Sequence, residues 1–198
     1  MKKIISVCLV IAMIFTLSLS MASCGAKEPS PSEVLDSFLK NIQENGLNEE
    51  DLGLGEITGE GEDAEYLKTM VDKMKGFEYE LSNESIDGDS ATVDLKVKTY
   101  GFGSMITETL TEYLQQAFVM AFSDASEDEM TALFENLITE KMNTLEKNYE
   151  KTVTVEMVKG EDGWDLKDKT DSNPMYDALM GGLYSAISNL DSMFGEGE

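Results

Sequence analysis

From Ser30 onward the apolar residues follow two alternating periods. Ser30-Pro31-Ser32-Glu33 is a capping box with proline at the first helical position, and Val34, Leu35, Phe38, Leu39 and Ile42 follow at helical spacing as far as Asn45-Gly46. Leu67, Met70, Val71 and Met74 resume that spacing, and Gly76 closes it. The period then falls to two. Phe77, Tyr79 and Leu81 share one face, as do Ala91, Val93, Leu95 and Val97, with Asp87-Gly88-Asp89 between the two runs. A two-residue Asp87-Gly88 turn would set Tyr79 against Lys96 and mix the faces. A three-residue turn, or a bulge, pairs Leu81 with Leu95 and Tyr79 with Val97. It also sets Glu80 opposite Lys96 and Glu78 opposite Lys98, both favourable cross-strand pairs. The lysines of this strand therefore belong to a solvated face.

Two amphipathic helices follow over 104–148. The first carries Ile106, Leu110, Tyr113, Leu114, Ala117, Phe118 and Phe122. The second opens on Ser126, with Glu129 completing another capping box, and carries Met130, Leu133, Phe134, Leu137, Ile138, Met142 and Leu145. In the second hairpin, "TVTVEMVKGEDGWDLK", a Gly160-Glu161 turn sets Met157 against Trp164 and Val155 against Leu166, with Trp164 inward. Asn173-Pro174 opens a last helix carrying Met175, Leu179, Leu183, Ile187 and Leu190. The pattern predicts a single α+β domain over 30–194. Its core is an antiparallel sheet of about four strands, made of two hairpins and packed against several amphipathic helices. The first helix should cover the sheet. Residues 46–63 form an acidic, glycine-rich loop with little to bury, and "GEGE" at 195–198 reads as a disordered tail.

The first 23 residues have a different character. Lys2 and Lys3 precede a short apolar run from Ile4 to Leu17, then small residues Ala22 and Ser23 lead to Cys24. The run is shorter than the roughly 20 residues a membrane span needs. "MASC" at 21–24 resembles a bacterial lipobox, with Met21 in place of the usual leucine. That resemblance implies a signal peptide over 1–23, a diacylglycerol on the Cys24 sulfur, cleavage before Cys24 and acylation of its amine, for instance with palmitate. Two acyl chains hold a protein on a membrane where one does so only marginally. "GAKEPS" then reads as a flexible tether over 24–29. Cys8 leaves with the signal, so the mature chain has no free thiol and no disulfide.

Together with the lipobox, "SPSEVLDSFLKNI", "IDGDSATVDLKV" and "VTVEMVKGEDGWDLK" resemble a group of small bacterial lipoproteins with cystatin-like or nuclear-transport-factor-like domains of unknown function. The resemblance implies a curved sheet wrapped on a helix, in some members enclosing a pocket. It brings no functional residues to this chain. The helical pair at 104–148 is long for the simplest cystatin-like fold and reads as a candidate insertion.

Composition removes much of the available chemistry. The chain has 15 Lys, no Arg and no His against 39 Asp plus Glu, for a net charge of −24. Loss of Lys2 and Lys3 would take this to about −26. Such a surface repels nucleic acid and bare anionic lipid. Without His or a mature thiol, Ser-His-Asp and Cys-His arrangements cannot form, and zinc sites built on those residues are excluded.

Three motifs remain. Ser37-Phe38-Leu39-Lys40 has the S-x-x-K spacing of serine acyl-enzymes but no S-D-N or K-T-G partner. "DASEDEMTALFE" places Asp124, Ser126, Asp128 and Glu135 at calcium-loop positions, yet Glu129 stands where that loop needs glycine, and Ser126 with Glu129 reads better as a helix cap. Paired carboxylates could serve a hydrolase or isomerase, but every clear inward strand position is apolar, with Asp and Glu on the solvent face or in loops. Ten methionines after residue 23 read as core filling, or alternatively as an adaptable groove. The expectation is a membrane-anchored extracytoplasmic lipoprotein acting as a non-catalytic binding or accessory module. Cys24 is its lipidation site, and no catalytic, cofactor-binding or metal residue is assigned. Its partners are the membrane, through the lipid, and a protein, peptide or small apolar ligand, with no nucleic acid.

Overall fold

A computed structural model of the chain describes residues 28–46, 65–122, 126–170 and 172–194. The export segment 1–23, Cys24 with its tether as far as Lys27, the acidic segment from residue 47 to 64 and the tail 195–198 lie outside the described residues. Helix α1 (Pro31–Asn45) starts on the expected capping box: the Ser30 hydroxyl accepts from the Glu33 N–H at 3.3 Å, and the Glu33 carboxylate accepts from the Ser30 N–H at 2.8 Å. Leu35, Leu39 and Ile42 are its buried stripe. Helix α2 (Glu65–Lys75) contributes Met70 and Met74 to the interior.

Strands β1 (Glu78–Asp87), β2 (Ser90–Thr99), β3 (Tyr149–Gly160) and β4 (Gly163–Leu166) form one antiparallel sheet in the order β1-β2-β3-β4. In the first hairpin Leu81 faces Leu95, Tyr79 faces Val97, Glu80 faces Lys96 and Glu78 faces Lys98, as the pattern required. Of the two ways to reach that register, the chain uses the bulge. The pairing shifts between Ser82 and Ser85, Asn83 takes φ +51, and its side-chain amide donates to Asp94 at 2.9 Å. The turn itself is tight, with Asp87 opposite Ser90 and Gly88 at φ +60.

The second hairpin departs from expectation. Met157 pairs with Leu166 and Lys159 with Trp164, so the turn is Glu161-Asp162 rather than Gly160-Glu161. A Gly160-Glu161 turn would have placed Gly163 within the strand ladder opposite Val158, where glycine weakens a strand. The observed turn instead uses Gly163 at φ +107 to close the loop. A shift of two residues keeps every side chain on its face, and Trp164 is only 8% exposed.

Helix α5 (Pro174–Leu179) and α1 cover the apolar face of the sheet, enclosing Phe77, Val93, Leu95, Val97, Val155, Met157, Trp164, Met175 and Leu179. The opposite face is polar and solvated, as expected for an antiparallel sheet covered on one side. A second core lies beside it, between α2, α3 (Phe102–Ala121), α4 (Glu127–Thr144) and α6 (Leu183–Phe194). Five of its eight buried residues are methionines: Met70, Met74, Met105, Met142 and Met180. With Met157 and Met175 also buried, core filling accounts for most methionines of the domain.

The last helix is in fact two. Asn173 caps α5 as expected, its carboxamide oxygen accepting from the Met175 N–H at 3.0 Å. The helix then stops at Met180-Gly181-Gly182, with both glycines at positive φ, before α6 begins. The break lets two backbone stretches meet, 100–103 and 181–182. A Cβ at Gly181 would overlap the Tyr100 carbonyl oxygen, a Cβ at Gly103 would overlap that of Gly182, and the Gly103 N–H donates to the Gly181 carbonyl at 3.1 Å.

Candidate functional site

Helices α3 and α4 form a helical arm whose base belongs to the second core and whose far end does not. On α3 the buried residues are Phe102, Gly103, Met105, Thr109 and Ala117. The apolar row expected to be core, by contrast, turns outward along its length. Ile106 and Leu110 are half-buried, whereas Leu114 is 52% exposed, Phe118 68% and Phe122, just past the helix end, 78%. Val119 beside them is 65% exposed. The cause is the winding of the row. At 3.6 residues per turn an i, i+4 series advances about 40° round the helix at each step, so Phe122 stands roughly 160° round from Ile106. The helix itself stays buried as far as Ala117, on another face. Leu114, Phe118 and Phe122 stand at i, i+4 and i+8 on the outward part of the row, with the Phe118 and Phe122 rings edge-to-face at 5.1 Å.

Helix α4 keeps the expected inward face, with Leu137, Ile138 and Met142 buried and Phe134 edge-to-face with Tyr113 at 5.6 Å. Its N-terminus lies at the exposed end of the arm and carries Glu127, Asp128 and Glu129. Residues 102–144 hold eight acidic side chains and one basic, Lys141, which Glu112 engages at 3.0 Å. The far end of the arm is therefore an apolar strip with an acidic rim.

A second constellation was not legible as a site. Asp177 on α5 is only 7% exposed, correcting the expectation that all acidic residues lie on solvent faces or in loops. Its Oδ2 accepts from Lys151 Nζ at 2.9 Å and from Ser185 Oγ at 2.8 Å, while Oδ1 accepts from the Ser185 N–H at 2.9 Å. Burial pushes the Asp177 carboxyl up, but the Ser185 N–H, Lys151 and the Ser185 hydroxyl outweigh it and hold the group below its ordinary range. The same contact raises Lys151. An open groove of about 480 Å³, lined by Lys151, Asn173, Asp177, Tyr184 and Ser185 among others, lies over the pair. A carboxylate held ionised and an amine held protonated make a clamp between β3, α5 and the first turn of α6. Neither is poised to transfer a proton near neutral pH.

The motifs singled out from the sequence make local contacts within their helices. Ser37 Oγ donates to the Glu33 carbonyl at 2.9 Å and Lys40 pairs with Asp36 at 2.6 Å, so each bonds to another residue of α1 rather than to the other. Asp36 also accepts from the Tyr79 hydroxyl at 2.7 Å. The bonds from Lys40 and Tyr79 hold Asp36 below its ordinary range, and burial first, then that bond, push Tyr79 up to about 12. Ser126 and Glu129 form the expected capping box, with Glu129 accepting from the Ser126 N–H at 2.8 Å and from its hydroxyl at 3.1 Å. Asp124 and Cys24 lie outside the described residues. Among the described residues no helix is long and apolar enough to cross a membrane, and no group of three or more His, Cys, Asp or Glu is placed to hold a metal ion.

No protein-family model matches the chain, and no curated protein matches it. Among solved structures it is similar to one from Bacillus subtilis described as "a putative lipoprotein (ycdA)", at 20% identity and a TM-score of 0.40, over 78% of this chain and 47% of that one. This chain thus spans about half the length of that protein.

Proposed function

We propose that the protein is a lipid-anchored, extracytoplasmic docking module whose α3–α4 arm binds another macromolecule without catalysis. The observation that carries this reading is the exposed row Leu114, Phe118 and Phe122 with Val119, on the face of α3 turned away from the core. Isolated exposed apolar residues are ordinary, but a row of neighbouring ones with a paired aromatic end, on a strongly acidic chain, marks an interaction surface. The anchor is the acylated Cys24, which the lipobox-like "MASC" supplies. The non-catalytic part of the reading is supported by Asp177, which lines the groove over α5, and by Asp36, which bonds the Tyr79 hydroxyl, because both are held ionised rather than raised.

The magnitude favours a partner with polar complementarity. Fully burying a Leu, Val or Phe side chain contributes about 1.5–3 kcal/mol, so four partly exposed ones give roughly 4–8 kcal/mol. Association itself costs about 4–15 kcal/mol. Apolar contact alone is therefore marginal.

The test is a photo-crosslinking residue at Val119, against a control at Thr154 on the solvated sheet face, in the full-length anchored protein in cells. The expected result is a protein adduct from position 119 and none from 154. Equal labelling at both positions, or none at either, overturns the docking reading.

A further inference from the structure

Resting on the docking reading above, we infer that the partner is a basic amphipathic segment: a helix with apolar side chains at i, i+3 and i+4 spacing flanked by Lys or Arg. Three observations select this chemistry. The strip formed by Leu114, Phe118 and Phe122 is an inclined ridge at i+4 steps along one helix, and the groove beside such a ridge is where the apolar ridge of a second helix fits. Its rim is acidic, with Glu127 and Asp128 exposed at the start of α4, and the arm's single lysine is already held by Glu112. Because apolar contact alone is marginal, the rim must add to the binding free energy rather than oppose it. It does so only for a cationic partner.

The competing occupants meet the opposite sign. A second copy brings the same net charge of −24 to the contact. The chain's own segment 47–64 contains seven acidic residues and no basic one, and the tail 195–198 is "GEGE". Anionic lipid headgroups would face the same acidic rim.

Two synthetic helical peptides of one apolar pattern test this, one of leucine and lysine, the other of leucine and glutamate. Each is labelled, and its tumbling is measured against the full processed chain. The leucine–lysine peptide should bind with an affinity that falls as salt is raised, and the leucine–glutamate peptide at least about tenfold more weakly. Phe118→Ser with Phe122→Ser should weaken the lysine peptide about tenfold or more while the thermal midpoint stays unchanged, since both rings stand in water. Equal binding of the lysine peptide to that double variant reveals attraction to bulk charge and overturns the inference, as does equal binding of the two peptides. Binding of neither peptide, with uptake of the chain by phosphatidylcholine–phosphatidylglycerol vesicles through Phe118 and Phe122, replaces it with a membrane surface. Crosslinking at Val119 without peptide binding leaves docking standing and removes only the basic partner. Failure of both experiments removes both readings.

Discussion

Removing the Asp177 carboxylate should loosen the junction between the two cores. The side chain receives three charge-assisted hydrogen bonds, from Lys151 Nζ, Ser185 Oγ and the Ser185 N–H, at 2.8–2.9 Å. A bond to a charged group contributes about 1.5–3 kcal/mol net. The three are not additive, burying Asp177 costs some of the gain, and Lys151 is exposed enough to rehydrate when released, so its share belongs near the surface value of about 1 kcal/mol or less. The Ser185 N–H lies in the first turn of α6, so the charge also meets the positive end of that helix. Asp177→Ala should therefore cost about 2–4 kcal/mol, or roughly 5–15 °C of melting temperature for a domain of this size. Asp177→Asn, which can still accept from the Ser185 N–H, should lose about half as much.

The pH dependence of the same contact has a definite sign. Asp177 titrates lower in the folded chain than its unfolded value of about 3.9, so its contribution is present above that value and is lost as pH falls through the folded one. Acid also relieves the general repulsion of a chain at −24, so the informative quantity is the gap between wild type and variant. That gap should be full at neutral pH and shrink below about pH 4. Urea and thermal unfolding followed by circular dichroism measure it. A melting point for Asp177→Ala within about 1 °C of wild type at neutral pH, or a gap that widens on acidification, would refute the clamp.

Trp164→Ala should lose about 3–5 kcal/mol, the range for a buried aromatic, and native tryptophan fluorescence should be that of a water-shielded indole; an unchanged urea midpoint would contradict its place in the sheet core. Thr99 is fully buried, and its hydroxyl is a buried side-chain group left without a hydrogen-bond partner among the described residues. Thr99→Val should therefore raise stability by about 1 kcal/mol, and a lowered urea midpoint would show that the hydroxyl is satisfied. Cys24→Ser should release the protein from membranes or leave its precursor uncleaved, and incorporation of labelled fatty acid into that variant would sink the proposed anchor.

Much of the fold was legible because strand faces are robust to small errors. The Lys159–Trp164 pairing lies two residues from the expected register, yet Trp164, Leu166 and Met157 stay inward because the side-chain period is two. Capping boxes were legible for a similar reason. Ser30 with Glu33, and Ser126 with Glu129, satisfy each other within four residues and depend on nothing distant. The break of the last helix was not legible. "MGGLY" contains the two glycines, but their role comes from Tyr100 and Gly103, some eighty residues away in sequence, whose backbones press against them. Asp177 was missed on the same ground. Its partners Lys151 and Ser185 are brought together by the α5–α6 break and the end of β3, neither of which a local pattern encodes.

The arm shows where periodicity stops carrying information about function. Ile106, Leu110, Leu114, Phe118 and Phe122 form one continuous i, i+4 row, which periodicity reads as a single core face. Over four such steps the row winds roughly 160° round the helix, so its two ends face opposite ways. Ala117 keeps α3 in contact with the core near its end while Phe118 and Phe122 stand in water. At the base of the arm the glycine break sets where α6 starts, and the Asp177 clamp on Ser185 fixes its first turn. A change that weakens the clamp should therefore disturb the base of the arm before its tip, and a change at Phe118 or Phe122 should alter docking without touching the fold.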